Sequence, residues 1–427
     1  MDNETRFVLN TFSFLIWGGL VMWMCAGFTM LEAGSVRTKN ASVICLKNIG
    51  LYSIACLTFY IVGYNIMFTG VEPGGWFGSL DLLHGPTADE RALLGGDVPA
   101  AAAVTEQGHA AMSEWLFQMV FMASAASIVS GTLAERVKLW SFFVFIVVLT
   151  AVIYPIVGAW TWGGGWLAAM GFRDFAGSTV VHSTGGWAAL AGVLIVGARK
   201  GKFRADGTVK STPPTNVPAV TLGVFIIWLG FLGFNGGSQL ALGGAANAVA
   251  IGNVLVNTNL AAAAGVITAL ILSRPVFGHV DLLASLNGAI SGLVAITAGP
   301  DIVEHWWAVV IGSIGAVTCT FGMKLLHRLK IDDEVGAIPA HMCAGVGGTL
   351  AVCIAAGGDP LVQLTGIVAV GAFVFGASLL VWRLIDMTLG ARISPLVEEH
   401  GQDYAELGIE AFPEFILAEV DRHLPPR

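Results

Sequence analysis

Two stretches of the chain decide its fold: DFAGSTVVHSTGGWAALAG (174–192) and DEVGAIPAHMCAGVGGTLAV (333–352). Each begins on an aspartate and runs into an apolar segment of membrane length. Each places a histidine eight residues after the aspartate, Asp174 to His182 and Asp333 to His341. An ionisable side chain within a bilayer is expensive, so such a residue marks a functional site by default. The same spacing occurring twice implies that two halves of one chain build a single site.

Composition agrees with a membrane reading. The 427 residues are 55% hydrophobic and 12% charged, with a mean hydropathy of +0.76. A soluble domain carries about 25% charged residues. The 55 glycines and 13 tryptophans fit close helix packing and interfacial anchoring. The net charge of -8 excludes little, because charge placement matters more than its sum, and nothing calls for a nucleic-acid partner. The six cysteines lie in apolar runs without a CxxC pair, and read as buried packing residues. The first residues, MDNETRF, lack the basic start of a signal peptide, so the first helix is expected to be its own insertion signal.

Apolar runs able to span about 30 Å fall near 8–32, 41–69, 113–133, 139–161, 176–198, 217–241, 251–272, 282–299, 304–326, 337–356 and 361–388. This predicts an all-α polytopic membrane protein of eleven transmembrane helices. Lys and Arg concentrate in connections 1–2, 3–4, 5–6, 7–8 and 9–10, for example Arg37, Arg136, Arg199, Arg274 and Lys330. The positive-inside rule then puts the N-terminus outside and the tail in the cytoplasm. Residues 1–388 form the expected membrane domain, with five-helix inverted repeats at about 8–198 and 217–356 and a last helix at about 361–388. Residues 389–427 form the tail, too short for a core of its own. Eight residues of helix rise about 12 Å, which would bring both histidines toward the midplane. Inverted repeats around a midplane site are a transporter plan. The acidic, Gly- and Ala-rich segment 70–112 reads as a flexible outer cap.

Among residues that could carry chemistry, His182 and His341 come first. One reading is two unrelated buried histidines, each satisfied by its own helix. The sharper one is a facing pair in a narrow conduit, since neutral imidazole both donates and accepts. No third ligand stands at helical spacing from either histidine, so no metal or cofactor is expected. Most aromatics in such a chain anchor or pack helices, and a subset could attract a small cation. Asp174 precedes its apolar run as a helix N-cap would. Glu32 and Lys47 are expected to snorkel or pair with each other, without an assigned role. No nucleophile–base pair or metal cluster speaks for an enzyme.

The chain resembles the ammonium transporter family of Amt, Mep and Rh proteins over nearly its whole length. The resemblance runs through AGFTMLEAGSVRTKN (26–40), WLFQMVFMASAASIVSGTLAERVK (115–138), YPIVGAWTWGGGW (154–166), DFAGSTVVH (174–182), WLGFLGFNGGS (228–238), VNTNLAAAAG (256–265), LNGAISGLVAITAG (286–299) and KIDDEVGAIPAH (330–341). It implies a homotrimer in the bilayer of the cytoplasmic membrane, each subunit with its own pore for ammonium or ammonia, and methylammonium as an analogue. By motif, Phe121, Trp162 and Ser238 match the outer recruitment site, and Phe121 and Phe234 the stacked gate. His182 and His341 match the twin histidines, Asp174 the buried aspartate, and Asn235 the residue beside the gate. A PII-type regulatory protein is an implied partner of the tail, which retains Gly401, Asp403, Glu406 and Gly408. Three departures are Met342 after the second histidine, Ala159 before the vestibule tryptophans, and a tail that follows the family's only in part and then adds FILAEVDRHLPPR (415–427). The main alternative within this resemblance is an ammonium sensor that signals through the tail without efficient transport. A passive ammonia channel of the Rh kind is disfavoured by the cation-recruiting set.

Overall fold

Residues 1–206, 208–210 and 212–413 are described by a computed structural model. Eleven apolar helices organise them: α1 (Asn3–Ser35), α2 (Thr38–Phe68), α3 (Ala111–Thr132), α4 (139–161), α5 (Ser178–Val196), α6 (Val217–Gly237), α7 (Ala245–Phe277), α8 (Leu282–Ile296), α9 (His305–Arg328), α10 (Ile338–Ala356) and α11 (Pro360–Thr388). Among the described residues no strand forms, and Val137 with Arg392 and Phe203 with Val209 make only isolated bridges. Ten helices are long and apolar enough to cross a membrane, and α8, with 15 residues, is shorter than the run at 282–299 suggested.

Local chemistry sets where the helices begin. The side chains of Asp2, Asn216, Asp281 and Asp359 accept N–H groups in the first turns of α1, α6, α8 and α11. Each satisfies a donor that the helix leaves free. Pro218 and Pro360 stand at first-turn positions, where a missing N–H costs nothing.

Packing runs both between and within the expected repeats. The first helices of the expected repeats, α1 and α6, lie along each other. Their contact is reciprocal: a Cβ on Gly27 would come within 2.8 Å of the Gly223 carbonyl oxygen, and one on Gly223 within 2.6 Å of the Gly27 oxygen. Only glycine admits so close an approach, the usual device where lipid removes the hydrophobic drive between helices. Helix α3 packs against α1, α2 and α5, while α8 packs against α7, α9 and α10. Helix α11 packs on α5.

The segment 70–112 differs from the flexible cap expected. It contains two short helices, Ala88–Leu94 and Ala100–Glu106, the first closed by a capping box between Thr87 and Glu90. Asn10 of α1 ties it down by donating to the Gly108 carbonyl at 3.0 Å. Cys45 is exposed, against the expectation that all cysteines are buried, whereas Cys319 and Cys353 are buried. Glu32 and Lys47 neither snorkel nor form a direct ion pair. Both are buried, and Ser130 joins them: its hydroxyl donates to Glu32 Oε2 at 2.6 Å, and its carbonyl accepts from Lys47 Nζ at 2.9 Å.

At the end of the bundle that carries the basic connections, charge is paired rather than displayed. Glu135 accepts from Arg37 at 2.8 Å and Arg199 at 3.0 Å. Arg199 also binds Asp332 at 2.8 Å and contacts Glu334. Arg136 donates to the carbonyls of Thr132, Ala134, Gly197 and Asp332. One cluster therefore ties together the connections after α1, α3, α5 and α9.

The tail docks on the same end. Asp403 accepts the N–H groups of Ser42 and Val43, both at 2.8 Å, and so caps the first turns of α2. Gln402 donates to Val137 O at 2.7 Å and to Glu406 Oε1 at 3.3 Å. Gly401 has a φ of +115° and lies so near Lys39 that a Cβ would meet its carbonyl at 2.7 Å. The segment FILAEVDRHLPPR (415–427) lies outside the described residues.

Burial alone would push the Glu135 carboxyl up, but the Arg37 hydrogen bonds and the Arg199 charge outweigh it and hold it at about 2. A carboxyl depressed in the folded state stabilises in full above its unfolded value, about 4.5, and loses that contribution as pH falls toward 2. Glu135→Gln is expected to cost about 3 kcal/mol. Thermal unfolding in detergent checks this: the variant should melt lower at neutral pH, and the gap to the native chain should shrink as pH falls from about 4.5 toward 2.

Candidate functional site

Helices α5 and α10 open alike. Asp174 and Asp333 each stand three residues before a glycine in the left-handed region, Gly177 at φ +106° and Gly336 at φ +73°. Both helices then start in a widened, π-helical turn, Ser178–Ser183 and Ile338–Cys343. The histidines lie in these first turns and not eight residues along a regular helix, as the spacing had suggested. Such turns often mark functional sites because they re-aim a side chain.

Asp174 explains the start of α5. Its Oδ1 accepts from Gly177 at 3.1 Å and Ser178 at 2.8 Å, and its Oδ2 from Thr179 and Val180 at 2.8 Å each. One carboxylate thus serves four N–H groups, well beyond an ordinary N-cap. Its backbone carbonyl accepts from Trp162 Nε1 at 2.9 Å, which orients the indole. Asp333 echoes this only in part: its Oδ2 accepts from the Ile338 N–H at 2.7 Å, and its Oδ1 has no hydrogen-bond partner among the described residues.

The two helices cross through glycines placed four residues after each histidine. A Cβ on Gly186 would lie 2.6 Å from Met342 Cβ, and one on Gly345 would lie 2.3 Å from Ser178 O. The Thr179 and Thr349 hydroxyls meet at 2.8 Å. This close crossing brings His341 Nδ1 to 3.2 Å from His182 Nδ1. If both rings are neutral, one must carry its proton on Nδ1 and the other on Nε2. His182 Nε2 is buried with no hydrogen-bond partner among the described residues.

An aromatic column continues from the pair. His182 lies 5.1 Å from Phe231 and 5.2 Å from Phe234. Phe234 stacks on Phe121 at 3.7 Å and 17°. Phe121 meets Trp162 edge-on at 6.0 Å and 76°. Beyond the stacked rings lies a cavity of about 120 Å³, lined by Phe121, Trp162 and Ser238 together with Phe68, Glu114 and Gln118. The Ser238 hydroxyl donates to Phe234 O at 2.9 Å, which leaves its lone pairs to accept. On the other side, His341 borders a chamber of about 10 Å³ that adjoins a vestibule of about 320 Å³ at the tail end.

Residues 12–412 match the family model of the Ammonium Transporter Family. The chain belongs to the ammonium transporter family. It is 38% identical to the ammonium transporter Amt2 of Archaeoglobus fulgidus, over 95% of this chain and 89% of that one. Identity to a putative ammonium transporter of Synechocystis is 37%, over 95% and 89%. Among solved structures, a sensor Amt protein superposes with a TM-score of 0.85 at 34% identity, covering 95% of this chain and 100% of the other. Candida albicans Mep2 gives 0.78 at 26% identity, covering 92% and 88%. The chain is accordingly a multi-pass membrane protein of a transporter family.

Of the site residues expected from the sequence, Phe121, Trp162, Ser238, Phe234, His182 and His341 line this column, and Asp174 and Asn235 stand beside it. Asn235 is fully buried and donates to Thr258 Oγ1 at 2.9 Å, fastening α6 to α7 at the level of the stacked phenylalanines. Met342 packs on Gly186 with the apolar cluster behind α5. The Glu114 carboxylate was missed, although it stands directly before the WLFQ motif. Phe28, 6.1 Å from His341, was missed as well. So were the glycines Gly177 and Gly336, whose shared offset from the aspartates was a readable signal.

Asp174→Ala would strand four buried N–H groups, and is expected to cost well over the ~1 kcal/mol of an ordinary cap. The thermal transition of the purified variant measures this. Gly345→Ala is expected to force α5 and α10 apart at a cost of about 1–3 kcal/mol. Nitrogen NMR of labelled imidazoles should then lose the hydrogen-bonded Nδ1–Nδ1 signal.

Proposed function

We propose that the protein transports ammonium selectively by recruiting the cation, removing its proton and passing ammonia along the histidine pair. The observation that carries this reading is the column itself: an aromatic cavity, two stacked phenylalanines and two histidines in contact at 3.2 Å, in that order.

The chemistry fits each station. Phe121 and Trp162 attract a small cation through their ring faces, and Ser238 accepts one of its N–H groups. Rings stacked at 3.7 Å leave no room for a hydrated ion, so Phe121 and Phe234 act as a gate. An intact ion in the dry segment beyond would suffer a large desolvation cost. Ammonium avoids that cost by shedding a proton, which potassium cannot do. Neutral ammonia then finds donors and acceptors in His182 and His341. Asp174 and Asn235 act structurally, holding α5 and Phe234 in place.

The wider arrangement follows from the same reading. Residues 8–198 and 217–356 are the inverted repeats, 361–388 the added helix, and 389–427 the tail. The Lys and Arg in the connections at the tail end support a cytoplasmic tail and an outer N-terminus, in the cytoplasmic membrane. The assembly is a homotrimer, and the tail surface is where a PII-type protein would act.

Proteoliposomes given an ammonium jump are expected to show a saturable current that potassium does not evoke. His182→Ala and His341→Ala should each reduce methylammonium uptake at least tenfold. Trp162→Ala should raise the half-saturating ammonium concentration about 5- to 30-fold, as loss of a ~1–2 kcal/mol cation–π contact would. Tight ammonium binding without current in intact protein would instead identify a sensor.

A further inference from the structure

Just past His341 lies a chamber that also contains a carboxylate. Phe28, Glu32, Ser127, Gly131, Asn287 and His341 are among its walls, and its volume is about 10 Å³. That is the scale of one water-sized molecule. Glu32 is 1% exposed. Its Oε2 accepts from Ser130 Oγ at 2.6 Å and from Asn48 Nδ2 at 3.2 Å. Its Oε1 has no hydrogen-bond partner among the described residues. A buried carboxylate oxygen left without a donor is costly. One oxygen is therefore fixed by the protein while the other is kept for a ligand.

The surroundings fit a cationic or proton-bearing guest. Lys47 and Cys45 on α2, Cys25 on α1 and His341 on α10 are the titratable groups around Glu32, and α3 contributes only the hydroxyls of Ser127 and Ser130. Lys47 does not neutralise Glu32 by direct contact. Its ammonium donates to Ser130 O at 2.9 Å and sits 4.7 Å above the Phe142 ring. Gly131 leaves the chamber open: a Cβ there would come 3.3 Å from Glu32 Cγ and 2.5 Å from a Val335 methyl. Leu31, Asn287 and Val335 line both this chamber and the 320 Å³ vestibule, so the chamber is the last enclosed station before open space.

We infer that Glu32 forms an inner ammonium site, at which ammonia leaving the histidine pair regains its proton. The step rests on the proposed transport reading and balances as follows. The proton shed by ammonium outside the gate reaches His182 and His341. The Glu32 carboxyl gives its proton to the ammonia lone pair, so an O–H bond breaks and an N–H bond forms. Ammonium leaves through the vestibule, and the carboxylate left behind takes the next proton from His341.

Glu32→Gln keeps the volume and an oxygen that can accept from Asn48 and Ser130, but removes the charge. Glu32→Asp keeps the charge and withdraws it by one methylene. Ammonium current and methylammonium uptake in proteoliposomes are expected to fall at least tenfold in Glu32→Gln and less in Glu32→Asp. Wild-type flux in Glu32→Gln overturns the proposal. Infrared difference spectra with ammonium against potassium test the site without relying on transport. Wild-type protein should show an ammonium-dependent carboxyl band that Glu32→Gln lacks, and an identical band in both overturns the site. Absence of any wild-type current with that band present would reject transport while leaving the Glu32 site standing. Should Glu32→Gln fail to fold, Gly131→Ala serves as the second variant. It should suppress the band by filling the chamber, and an unchanged band again overturns the proposal.

Discussion

The close crossing of α5 and α10 is the constraint on which the rest of this structure depends. His182 Nδ1 and His341 Nδ1 meet at 3.2 Å where the backbones of the two helices come nearly into contact. Gly186 and Gly345 allow that, each giving way to the opposite helix. The approach leaves no room for side chains to correct an error of orientation. The start of each helix must therefore be fixed independently, and Asp174 does so for α5 by gathering four N–H groups on one carboxylate. The left-handed glycines and widened first turns follow from the same demand, since they turn the histidines toward each other and not toward their own helices.

The two ends of the bundle meet different electrostatic demands. Away from the tail, charge is sparse near the column, and the cavity relies on ring faces, one hydroxyl, one amide and Glu114. On the proposed transport reading, such a lining would attract a cation without binding it so tightly that it could not leave. At the tail end, Arg37, Arg136, Arg199, Glu135 and Asp332 are almost wholly consumed by one another and by backbone carbonyls. That cluster joins four connections into one plate, on which the tail is held by Asp403, Gln402 and Gly401. Gly401 and Asp403, recognisable in the sequence, are thus docking elements.

Much of the column was legible in the chain because membrane segments leave polar residues few places to be. His182, His341, Asp174 and Ser238 stand out against apolar neighbours, and the repeated Asp-x7-His spacing announced that two halves converge. The aromatics were less legible, since most serve packing or anchoring. Phe121, Phe234 and Trp162 were selected by resemblance, and their stacking at 3.7 Å and edge-on contact at 6.0 Å are facts of three-dimensional placement. Glu32 shows the opposite failure. Near a helix end it read as a snorkelling or paired side chain, yet it is buried with one oxygen free, because α3 lays Ser130 between it and Lys47.

The sequence by itself determined the all-helical membrane architecture, the placement of the apolar runs, the basic end and the identity of the histidine pair. Each rests on a local or periodic signal: apolar length, charge asymmetry or a fixed spacing along one segment. Only the tertiary structure decided that α8 is short, that the segment 70–112 folds into helices, that the helices carrying the histidines begin in widened turns, and that Glu32 shares a chamber with His341. Those outcomes depend on which atoms of distant segments arrive at the same place, and on whether a glycine there allows them to meet.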